Sequence, residues 1–511
     1  MTIYTSPFPD VPVTDLSITE RVFRGLEGRA EERVLTDGPT GRGLTAHAFM
    51  DQVKPMAGGL TAAGFGKGHT VAIMAPNIPE YCVIFHAVAW AGGTITTLNP
   101  TYTANEVAHQ LKDAGAEMLL TIPDFVETAR DGAGKIPVIA IGSEEYNALH
   151  GEPLSSQVPV DLDSHSVVLP YSSGTTGLPK GVMLSHRNLV MNADQTAAAA
   201  NFQKGEVAAG FLPFFHIYGM TVLMNMHLAC GGAVVTMPRF DLQMFLQICQ
   251  DHKSRRLWIV PPVALALAKH PLVDDYDLSS VQEVFSGAAP LGADLSEAVG
   301  KRLSCVSLQG YGMTELAPVS HVTPATAARA GAAGKIVPNT QCRIVDIDTG
   351  ADLGTDQEGE LWVKGPQVMQ GYLNNAGATA ETLTDDGWLR TGDIARFDDD
   401  GYMFITDRLK ELIKFKGFQV APAELEATLD ALEGITEAAE RGQEDETAGE
   451  VPIAFVVKGN PDLTEDAIKS HLETQLAHYK QIHSVHFVEE IPKSASGKIL
   501  RRLLRDKVRG T

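Results

Sequence analysis

The sequence predicts an α/β protein with a large multi-subdomain N-terminal domain, whose βαβ-type sheets are flanked by helices, and a small α+β C-terminal domain. Two observations predict this class. The 511 residues exceed the roughly 250–300 at which one hydrophobic core stops growing. Short β-branched runs alternate with helical patterns until about residue 395, where hairpin and mixed signals take over.

Four short apolar runs of the N-terminal part are predicted to be buried strands, namely residues 70–75, 92–98, 117–122 and 137–142. Residues 104–114 carry apolar side chains three and four positions apart, which predicts a helix between two of these strands. Strands that alternate with helices form βαβ units, so we expect mostly parallel sheets.

The C-terminal part has a different pattern. An Asp-Gly turn within residues 397–408 predicts a β-hairpin. A proline-opened helix at 421–432, an acidic loop at 441–450 and a helix at 465–478 are predicted after it. This succession is typical of a small α+β domain rather than of further βαβ units.

The domain boundary is predicted at Asp407–Lys410, which divides the chain into residues 1–407 and 408–511. The boundary lies in a charged segment close to a glycine instead of a long linker. Such a boundary indicates a hinge between docked domains.

The net charge and the cysteine pattern restrict the partners and the compartment that are expected for this protein. The net charge of −22 argues against nucleic acid and anionic membranes, which favour basic surfaces. Two basic segments, residues 408–416 and 493–507, leave room for an anionic small molecule, although each is equally well explained as a solvated helix end. Five scattered cysteines without metal-ligand spacing indicate a reducing compartment. With no apolar leader, no membrane-spanning segment and no peroxisomal tail, the cytoplasm is the expected location.

Residues 171–187, YSSGTTGLPKGVMLSHR, suggest a phosphate-binding loop. A Walker loop needs GxxxxGK[ST], and Pro179 and Val182 occupy the positions of its second glycine in the two possible registers. The remaining hydroxyl and backbone N–H groups of residues 172–177, with the charge of Lys180, could still donate to phosphate oxygens. A loop of this composition is also common as a plain surface turn.

Further motifs accompany this loop in a fixed order, at residues 213–219 (PFFHIYG), 286–292 (SGAAPLG), 309–315 (QGYGMTE), 387–393 (GWLRTGD), 407–426 (DRLKELIKFKGFQVAPAELE) and 492–502 (PKSASGKILRR). Together they make the chain resemble the adenylate-forming superfamily of acyl- and aryl-CoA ligases, firefly-type luciferases and peptide-synthetase adenylation domains. The resemblance runs from about residue 40 to the end and is strongest to the 4-coumarate–CoA ligase branch.

The resemblance implies an ATP-dependent acid–CoA ligase. It would join a carboxylate to ATP as acyl-AMP with release of pyrophosphate, and then transfer the acyl group to CoA while a mobile C-terminal domain rotates. Mg²⁺ would accompany ATP. The implied ATP- and AMP-binding residues are Ser172, Ser173, Gly174, Thr175, Thr176, Gly177, Lys180, Gly287, Ala288, Ala289, Gln309, Gly310, Tyr311, Gly312, Thr314, Asp393, Arg408, Lys414 and Gln419.

The implied catalytic residues are Lys498, His216, Thr176 and Glu315. Thr176 and Glu315 would lie near Mg²⁺, which prefers oxygen ligands, whereas Glu315 alone could also be a helix-cap partner. His216 would lie beside the substrate carboxylate, although a lone histidine among aromatic residues is more often a core residue. Lys498 would reach the α-phosphate and the attacking carboxylate together.

Several other roles follow from the same resemblance. Tyr311 would stack on adenine, and Asp393 and Arg408 would contact the ribose; a core tyrosine and a turn aspartate are the alternatives. Lys410 would be the hinge. In the alternate domain positions, Lys414 and Gln419 would face the adenylate, and CoA would be bound by Lys416 and Gly417.

The implied acyl pocket is mostly apolar. Its residues are His216, Tyr218, Val222, Phe285, Gly287, Ala317, Pro318 and Val319. Phe285 stands where hydroxycinnamate ligases commonly have a lysine, so an aryl, arylpropenoic or medium-chain acid is expected. Glu440 and Arg441 stand where relatives usually have apolar residues, which leaves open an exposed edge strand or an atypical packing of the small domain.

Two other activities share these motifs: a luciferase-like oxygenase, and a stand-alone adenylation enzyme that loads a carrier protein. The chain has no obvious carrier segment, and its residues 416–422 (KGFQVAP) resemble a CoA-directed segment. A monomer or homodimer acting on small molecules is expected.

Lys498→Ala is expected to lower the rate of adenylation by about 10²–10³-fold, the usual effect of removing one preorganised charge-stabilising donor. ATP–pyrophosphate exchange measures this half-reaction directly. Normal exchange by the variant would contradict the role of Lys498.

Overall fold

The computed structural model describes residues 2–172, 179–409, 411, 413–415, 418–420, 422–445, 449–476, 480–493, 499–501 and 503–504. Its α/β architecture confirms the predicted fold class. The chain forms two compact units. One comprises residues 1–4, 342–362 and 390–511, and the other comprises residues 5–341 and 363–389. A boundary at Asp407–Lys410 for the functional domains stays a prediction.

The largest sheet of the second unit has eight strands in the order β20-β10-β8-β5-β4-β6-β7, with β9 beside β10. Strands β8, β5, β4, β6 and β7 are parallel, whereas β10 runs antiparallel to β8. All four predicted strands are present in it. The strand bounds are β4 Thr70–Met74, β5 Thr94–Thr97, β6 Ala116–Thr121, β7 Val138–Ala140, β8 Ser166–Leu169, β9 Tyr171–Ser172, β10 Lys180–Ser185 and β20 Gly371–Tyr372.

Two smaller sheets complete this unit, in the orders β11-β12-β2-β3 and β13-β14-β15-β16-β17. The first has bounds β2 Arg33–Asp37, β3 Gly43–Thr45, β11 Val207–Gly210 and β12 Ala233–Thr236. The second has bounds β13 Arg256–Ile259, β14 Glu283–Ser286, β15 Val306–Gly312, β16 Val319–Val322 and β17 Lys335–Ile336. Parallel pairing of β13, β14 and β15 directs their carboxyl ends to one edge.

Helices flank these sheets, and the predicted helix at 104–114 is α4. Their bounds are α1 Ile18–Gly25, α2 Ala46–Ala62, α3 Pro79–Trp90, α4 Ala104–Asp113, α5 Val126–Ala133, α6 Glu144–Asn147, α7 His186–Ala199, α8 His227–Ala229, α9 Leu242–Asp251, α10 Pro261–Lys269, α11 Ala293–Leu303 and α12 Ala376–Thr382. A π-helix at Tyr218–Met226 leads into α8. Within the described residues, every helix is too short or too polar to cross a bilayer.

The first unit contains two sheets, β1-β18-β19-β21-β22 and β24-β23-β26-β25, with β27 pairing to β26. The predicted hairpin is the turn between β21 and β22. The bounds are β1 Tyr4–Thr5, β18 Gln341–Val345, β19 Gly359–Lys364, β21 Leu389–Phe397, β22 Met403–Arg408, β23 Ile413–Phe415, β24 Phe418–Val420, β25 Ile435–Asp445, β26 Gly449–Lys458, β27 Ser484–Phe487, α13 Pro422–Asp430 and α14 Glu465–Gln475.

The predicted acidic loop at 441–450 is wrong, because β25 continues to Asp445 and β26 begins at Gly449. Pairing with β26 keeps this charged sequence extended. In the described part of the chain, β25 is an edge strand, yet Glu440 is fully buried. The Glu440 N–H donates to Glu426 Oε1 at 2.8 Å, and Arg501 Nε donates to the Glu440 carbonyl at 2.9 Å. The outer backbone groups of this edge position are therefore occupied by side chains.

Helix α7 carries a row of buried amide side chains toward the interior. Ser185 caps the helix by accepting from the Asn188 N–H. Asn188 donates to the carbonyls of residues 366 and 368 at 2.8 and 2.9 Å. Asn192 donates to the Val319 carbonyl at 2.6 Å and accepts from its N–H at 3.0 Å. Gln195 donates to the carbonyl of residue 338 at 2.8 Å. We call Asn188, Asn192 and Gln195 the α7 amide row.

In the unit that contains residues 5–341, a buried ionic network links the first residues of β13 and β14 to the residue before β11. Arg256 has no exposed side-chain surface, and its Nε donates to Glu283 Oε2 at 2.7 Å. Its Nη1 lies 3.5 Å from Glu206 Oε2, and its Nη2 donates to the Ala200 carbonyl at 2.6 Å. Arg255 contacts the same two carboxylates at 3.2 and 2.8 Å. Each buried carboxylate thus depends on the two arginines for its compensating charge.

Arg256→Met is expected to lower the free energy of unfolding of this unit by about 3–5 kcal/mol, because it leaves buried carboxylates undercompensated. Urea denaturation measures the change. Arg42→Met is the control, since the Arg42–Glu80 ion pair is solvent-exposed at the arginine and should be worth less than about 1 kcal/mol. Similar losses for both variants would contradict this account of the network.

Candidate active site

On one face of the β13–β15 sheet, charged residues lie at the amino end of β13 and β14, and aromatic residues and a glycine follow. Arg256 pairs with Glu283 at the amino end, and Trp258 pairs with Phe285 one step further, with ring centroids 4.8 Å apart. The Phe285 ring leans onto Gly310, where an added Cβ would lie 2.6 Å from Phe285 Cζ. The aromatic pair therefore fills the space that leads up to the carboxyl edge.

Gly287 follows directly after β14 and receives an aromatic ring. A Cβ at Gly287 would lie 3.1 Å from Tyr218 Cε1, so the Tyr218 ring packs on the glycine backbone. The hydroxyl of Tyr218 donates to the Ile259 carbonyl at 3.5 Å. Ala288 adopts a left-handed φ of 71°, which is unusual for a residue with a side chain. Predicted acyl and nucleotide residues thus meet at this turn.

Gln309 holds the other end of the same turn. Its Oε1 accepts from the Leu291 N–H at 2.8 Å, and its Nε2 donates to the Leu291 carbonyl at 3.1 Å. The amide is consequently engaged by the protein backbone, so it orders the loop in this structure. A contact of Gln309 with the nucleotide stays a prediction.

Tyr311 lies on β15 opposite His321 of β16, with ring centroids 5.8 Å apart. Burial lowers the pKa of His321 to about 3, so this ring is neutral at physiological pH. Tyr311 itself is partly exposed. A half-exposed ring supported by a neutral neighbour can offer one face to an adenine base.

His216 lies at the end of a segment held by two buried polar residues. Asn77 donates to the carbonyls of Gly210 and Leu212 at 2.7 and 2.8 Å and accepts from the Phe214 N–H at 2.8 Å. Thr97 donates to the carbonyl of residue 215 at 2.9 Å. The N–H of residue 218 donates to His216 Nδ1 at 3.3 Å, which orients the imidazole.

Glu315 is buried and shares a contact partner, Tyr372, with the predicted phosphate lysine. The hydroxyl of Tyr372 donates to Glu315 Oε1 at 2.8 Å. The Lys180 ammonium lies 4.6 Å from the centre of the Tyr372 ring. Lys180 in β10 also stands opposite Ser172 of β9. The structure thus brings together predicted phosphate-binding residues and the predicted metal carboxylate.

The rest of the predicted acyl pocket is buried. Val222 and Ala317 have no exposed surface, and Val319 is bound through its backbone by Asn192 of the α7 amide row. A Cβ at Gly312 would lie 2.2 Å from the Pro318 carbonyl oxygen, so this chain crossing requires glycine. These residues form a close-packed wall after β15.

In the first unit, predicted partners occupy matched positions. Asp393 of β21 stands opposite Arg408 of β22, and both were assigned to the ribose. Lys414 of β23 stands opposite Gln419 of β24, and both were assigned to the adenylate. Asp393 is buried, and its N–H donates to Thr391 Oγ1 at 3.1 Å. The hairpins bring together what the sequence separates.

Other predicted residues lie outside the described part of the chain. They are Ser173, Gly174, Thr175, Thr176, Gly177, Lys410, Lys416, Gly417 and Lys498. Their assignments stay predictions. Among the described residues, no group of three or more His, Cys, Asp or Glu side chains is arranged to hold a metal.

Sequence reasoning missed four residues that shape this site: Asn77, Asn192, Trp258 and Tyr372. The two asparagines bind backbone carbonyls distant in sequence, a role without a local signal. Tyr372 follows Gly371 in a two-residue strand that pairs with β10. Only its place beside a motif lysine, known once the sheet is assembled, reveals its importance.

Comparison with known proteins decides the family. Residues 22–373 match the model of the family described as AMP-binding enzyme, and residues 424–498 match that of the AMP-binding enzyme C-terminal domain. The chain belongs to the AMP-binding enzyme family. It is 42% identical over 525 residues to 4-coumarate–CoA ligase 5 of Oryza sativa subsp. japonica, which covers 99% of this chain and 97% of that protein.

Two solved structures of AMP-binding enzymes show the same architecture. ATP-bound MatB from Rhodopseudomonas palustris has a TM-score of 0.89 at 28% identity, covering 96% of this chain and 98% of that one. o-Succinylbenzoate CoA synthetase from Bacillus subtilis, in complex with its acyl-adenylate, has a TM-score of 0.84 at 25% identity and covers 99% of both chains. These relatives confirm the predicted class: the chain is an AMP-forming, ATP-dependent acid–CoA ligase.

Gly310→Ala is expected to destabilise the protein by about 1–3 kcal/mol, because its Cβ would collide with Phe285 and would lie 2.9 Å from the His321 carbonyl. Chemical denaturation of the variant measures the loss. In a Phe285→Ala background, which carries its own cavity cost, Gly310→Ala should cost less than in the parent because one of the two clashes is absent.

Gly377→Ala in α12 is the matched control, since the nearest atom to its added Cβ is 3.9 Å away. This helical substitution should be neutral or stabilise by up to about 1 kcal/mol. A Gly310→Ala variant as stable as Gly377→Ala would contradict the close approach of Phe285.

Proposed function

We propose that this ligase activates a plain aromatic or arylpropenoic acid, with a medium-chain acid as the alternative that the same apolar lining accommodates. The acid carboxylate attacks the α-phosphorus of ATP, the P–O bond to pyrophosphate breaks, and acyl-AMP forms. In the second half-reaction the CoA thiol attacks the acyl carbon and AMP leaves. The enzyme would act in the cytoplasm as a monomer or homodimer.

Catalysis of the first half-reaction is mainly positioning and charge neutralisation. His216, oriented by the residue 218 N–H, would bind the acid carboxylate at the edge of the pocket. Tyr311 would stack on adenine, and Asp393 and Arg408 would bind the ribose. Lys498 would stabilise the charge that develops between carboxylate and α-phosphate.

Mg²⁺ fits the residues at Glu315. A buried carboxylate that accepts from only one described hydroxyl on Oε1 lies near a lysine assigned to phosphate. Mg²⁺ is usually held by one or two carboxylates together with substrate phosphates, so a cluster of protein ligands is not required. Glu315 and Thr176 would hold the ion, which neutralises phosphate charge when bound.

The second half-reaction would use another face of the small domain. We propose rotation about Lys410, after which Lys416 and Gly417 contact CoA. Lys414 and Gln419 stand opposite each other in paired strands, and this supports a shared role for the pair at the adenylate. Domain rotation is a common way to complete a catalytic site in two states.

Phe285 carries the proposal for the acid. Its ring lies between Trp258 and Gly310, where hydroxycinnamate ligases commonly have a lysine. Arg256, whose guanidinium carbon lies 5.3 Å from the centre of the Trp258 ring, is bound by Glu283 and Glu206. A 4-hydroxyl group would therefore lose its hydration near Phe285 without gaining a cationic partner.

The kcat/KM for cinnamate is expected to equal or exceed that for 4-coumarate. The excess should not be more than about 100-fold, because an apolar pocket rejects an added hydroxyl only weakly. AMP release with ATP and CoA, screened across benzoates, cinnamates, dicarboxylates and C2–C16 fatty acids, measures this. Phe285→Lys should move the ratio toward 4-coumarate by about tenfold. Phe285→Leu, which stays apolar, is its control.

The opposite result would have a different magnitude. A site built to bind the hydroxyl would reject cinnamate by about 10⁴-fold. That outcome would overturn the proposal and point to Trp258 Nε1 or Thr221 Oγ1. Both are buried polar atoms without a hydrogen-bond partner among the described residues.

A further inference from the structure

Tyr372 contacts two residues of opposite charge. Its hydroxyl donates to Glu315 Oε1 at 2.8 Å, and the Lys180 ammonium lies 4.6 Å from the centre of its ring. One side chain thus contacts both the proposed metal carboxylate and the proposed phosphate lysine. The hydroxyl bond is charge-assisted, and the ring contact is a cation–π interaction.

The backbone holds Tyr372 in place from three directions. Tyr372 stands opposite Val182 of β10, two residues beyond Lys180. Its N–H donates to Thr379 Oγ1 at 2.9 Å. The N–H of residue 369 donates to the Glu315 carbonyl at 2.9 Å. The segment of residues 369–372, which includes the strand with the tyrosine, is therefore bonded to both segments that its side chain contacts.

The Tyr372 hydroxyl carries a proton that it donates to Glu315 Oε1. Tyr372 is 7% exposed, so water competes little for either contact. The three groups form a fixed order of carboxylate, phenol and ammonium.

Lys180 and Glu315 carry opposite charges and contact the same side chain, so they attract each other. A direct ion pair would engage the cation needed for phosphate and the carboxylate needed for Mg²⁺. The phenol gives each group an uncharged partner, which leaves the charge of each group available to a ligand. It also fixes the direction of Glu315, in the way that outer-shell donors orient metal-binding carboxylates.

We propose that Tyr372 is a positioning residue for the adenylation half-reaction, which keeps Lys180 and Glu315 apart and orients Glu315 toward a divalent cation. This inference rests on the proposed function of Glu315 as a Mg²⁺ ligand. Tyr372 contacts no reacting atom in this role. Its substitution acts through the two residues that it touches.

Tyr372→Phe removes only the hydroxyl and keeps the ring against Lys180. In ATP–pyrophosphate exchange, the Mg²⁺ concentration that gives half the maximal rate should rise by about 10–100-fold, the usual effect of losing an outer-shell partner. The KM for the acid should not change. Calorimetric titration with ATP, with and without Mg²⁺ and without acid, should show a matching loss of Mg²⁺-dependent affinity.

Tyr372→Leu removes the ring as well and should additionally raise the KM for ATP, because Lys180 and Glu315 can then pair. Tyr146→Phe is the matched control. Tyr146 is a buried tyrosine of α6 whose ring contacts His150, and neither residue has an assigned role in binding or catalysis. This control should keep the parental Mg²⁺ dependence.

A Tyr372→Phe variant with parental Mg²⁺ dependence would overturn the inference. The inference would also be overturned if the weaker Mg²⁺ response came together with a raised KM for the acid and a lowered melting temperature. Such a general defect indicates a structural role alone. Glu315→Gln separates the two proposals. If it abolishes the Mg²⁺ response while Tyr372→Phe does not, only the positioning role fails; if it leaves the response intact, the metal assignment fails and the inference falls with it.

Discussion

The buried amide row of α7 is the constraint on which the site depends. Asn188, Asn192 and Gln195 satisfy backbone groups of three segments that lie 127 to 180 residues further along the chain. Such groups would be costly if left unpaired in the interior. Helix α7 thereby fixes the position of the close-packed wall at Val319 and of the segment that leads to Tyr372. This helix begins directly after β10, the strand that carries Lys180.

Much of the fold could be predicted from the sequence because its signals are local. Apolar runs with β-branched residues gave β4, β5, β6 and β7 within one or two residues of their bounds. The prediction of a loop after residue 440 was wrong because it, too, relied on a local signal, the acidic composition. The charges of this segment indicate a loop, but pairing with β26 supplies backbone hydrogen bonds that outweigh the composition.

The residues of the candidate site also divide into those with a local sequence signal and those without one. Tyr311, Glu315 and His216 stand in motifs, so the resemblance identifies them without any knowledge of the fold. Tyr372 and Asn77 act through contacts across 57 and more than 130 residues, and no periodicity reports such contacts. Phe285 is intermediate: its motif position was apparent, but its wedge between Trp258 and Gly310 required the assembled sheet.

The occupied edge of β25 has a consequence for association between copies of the enzyme. An exposed strand edge is a template onto which another chain can add a strand. At Glu440 the side chains of Glu426 and Arg501 already take the outward N–H and carbonyl. A neighbouring copy would have to displace a charged pair before it could extend the sheet, so this arrangement disfavours intermolecular β-pairing at that position.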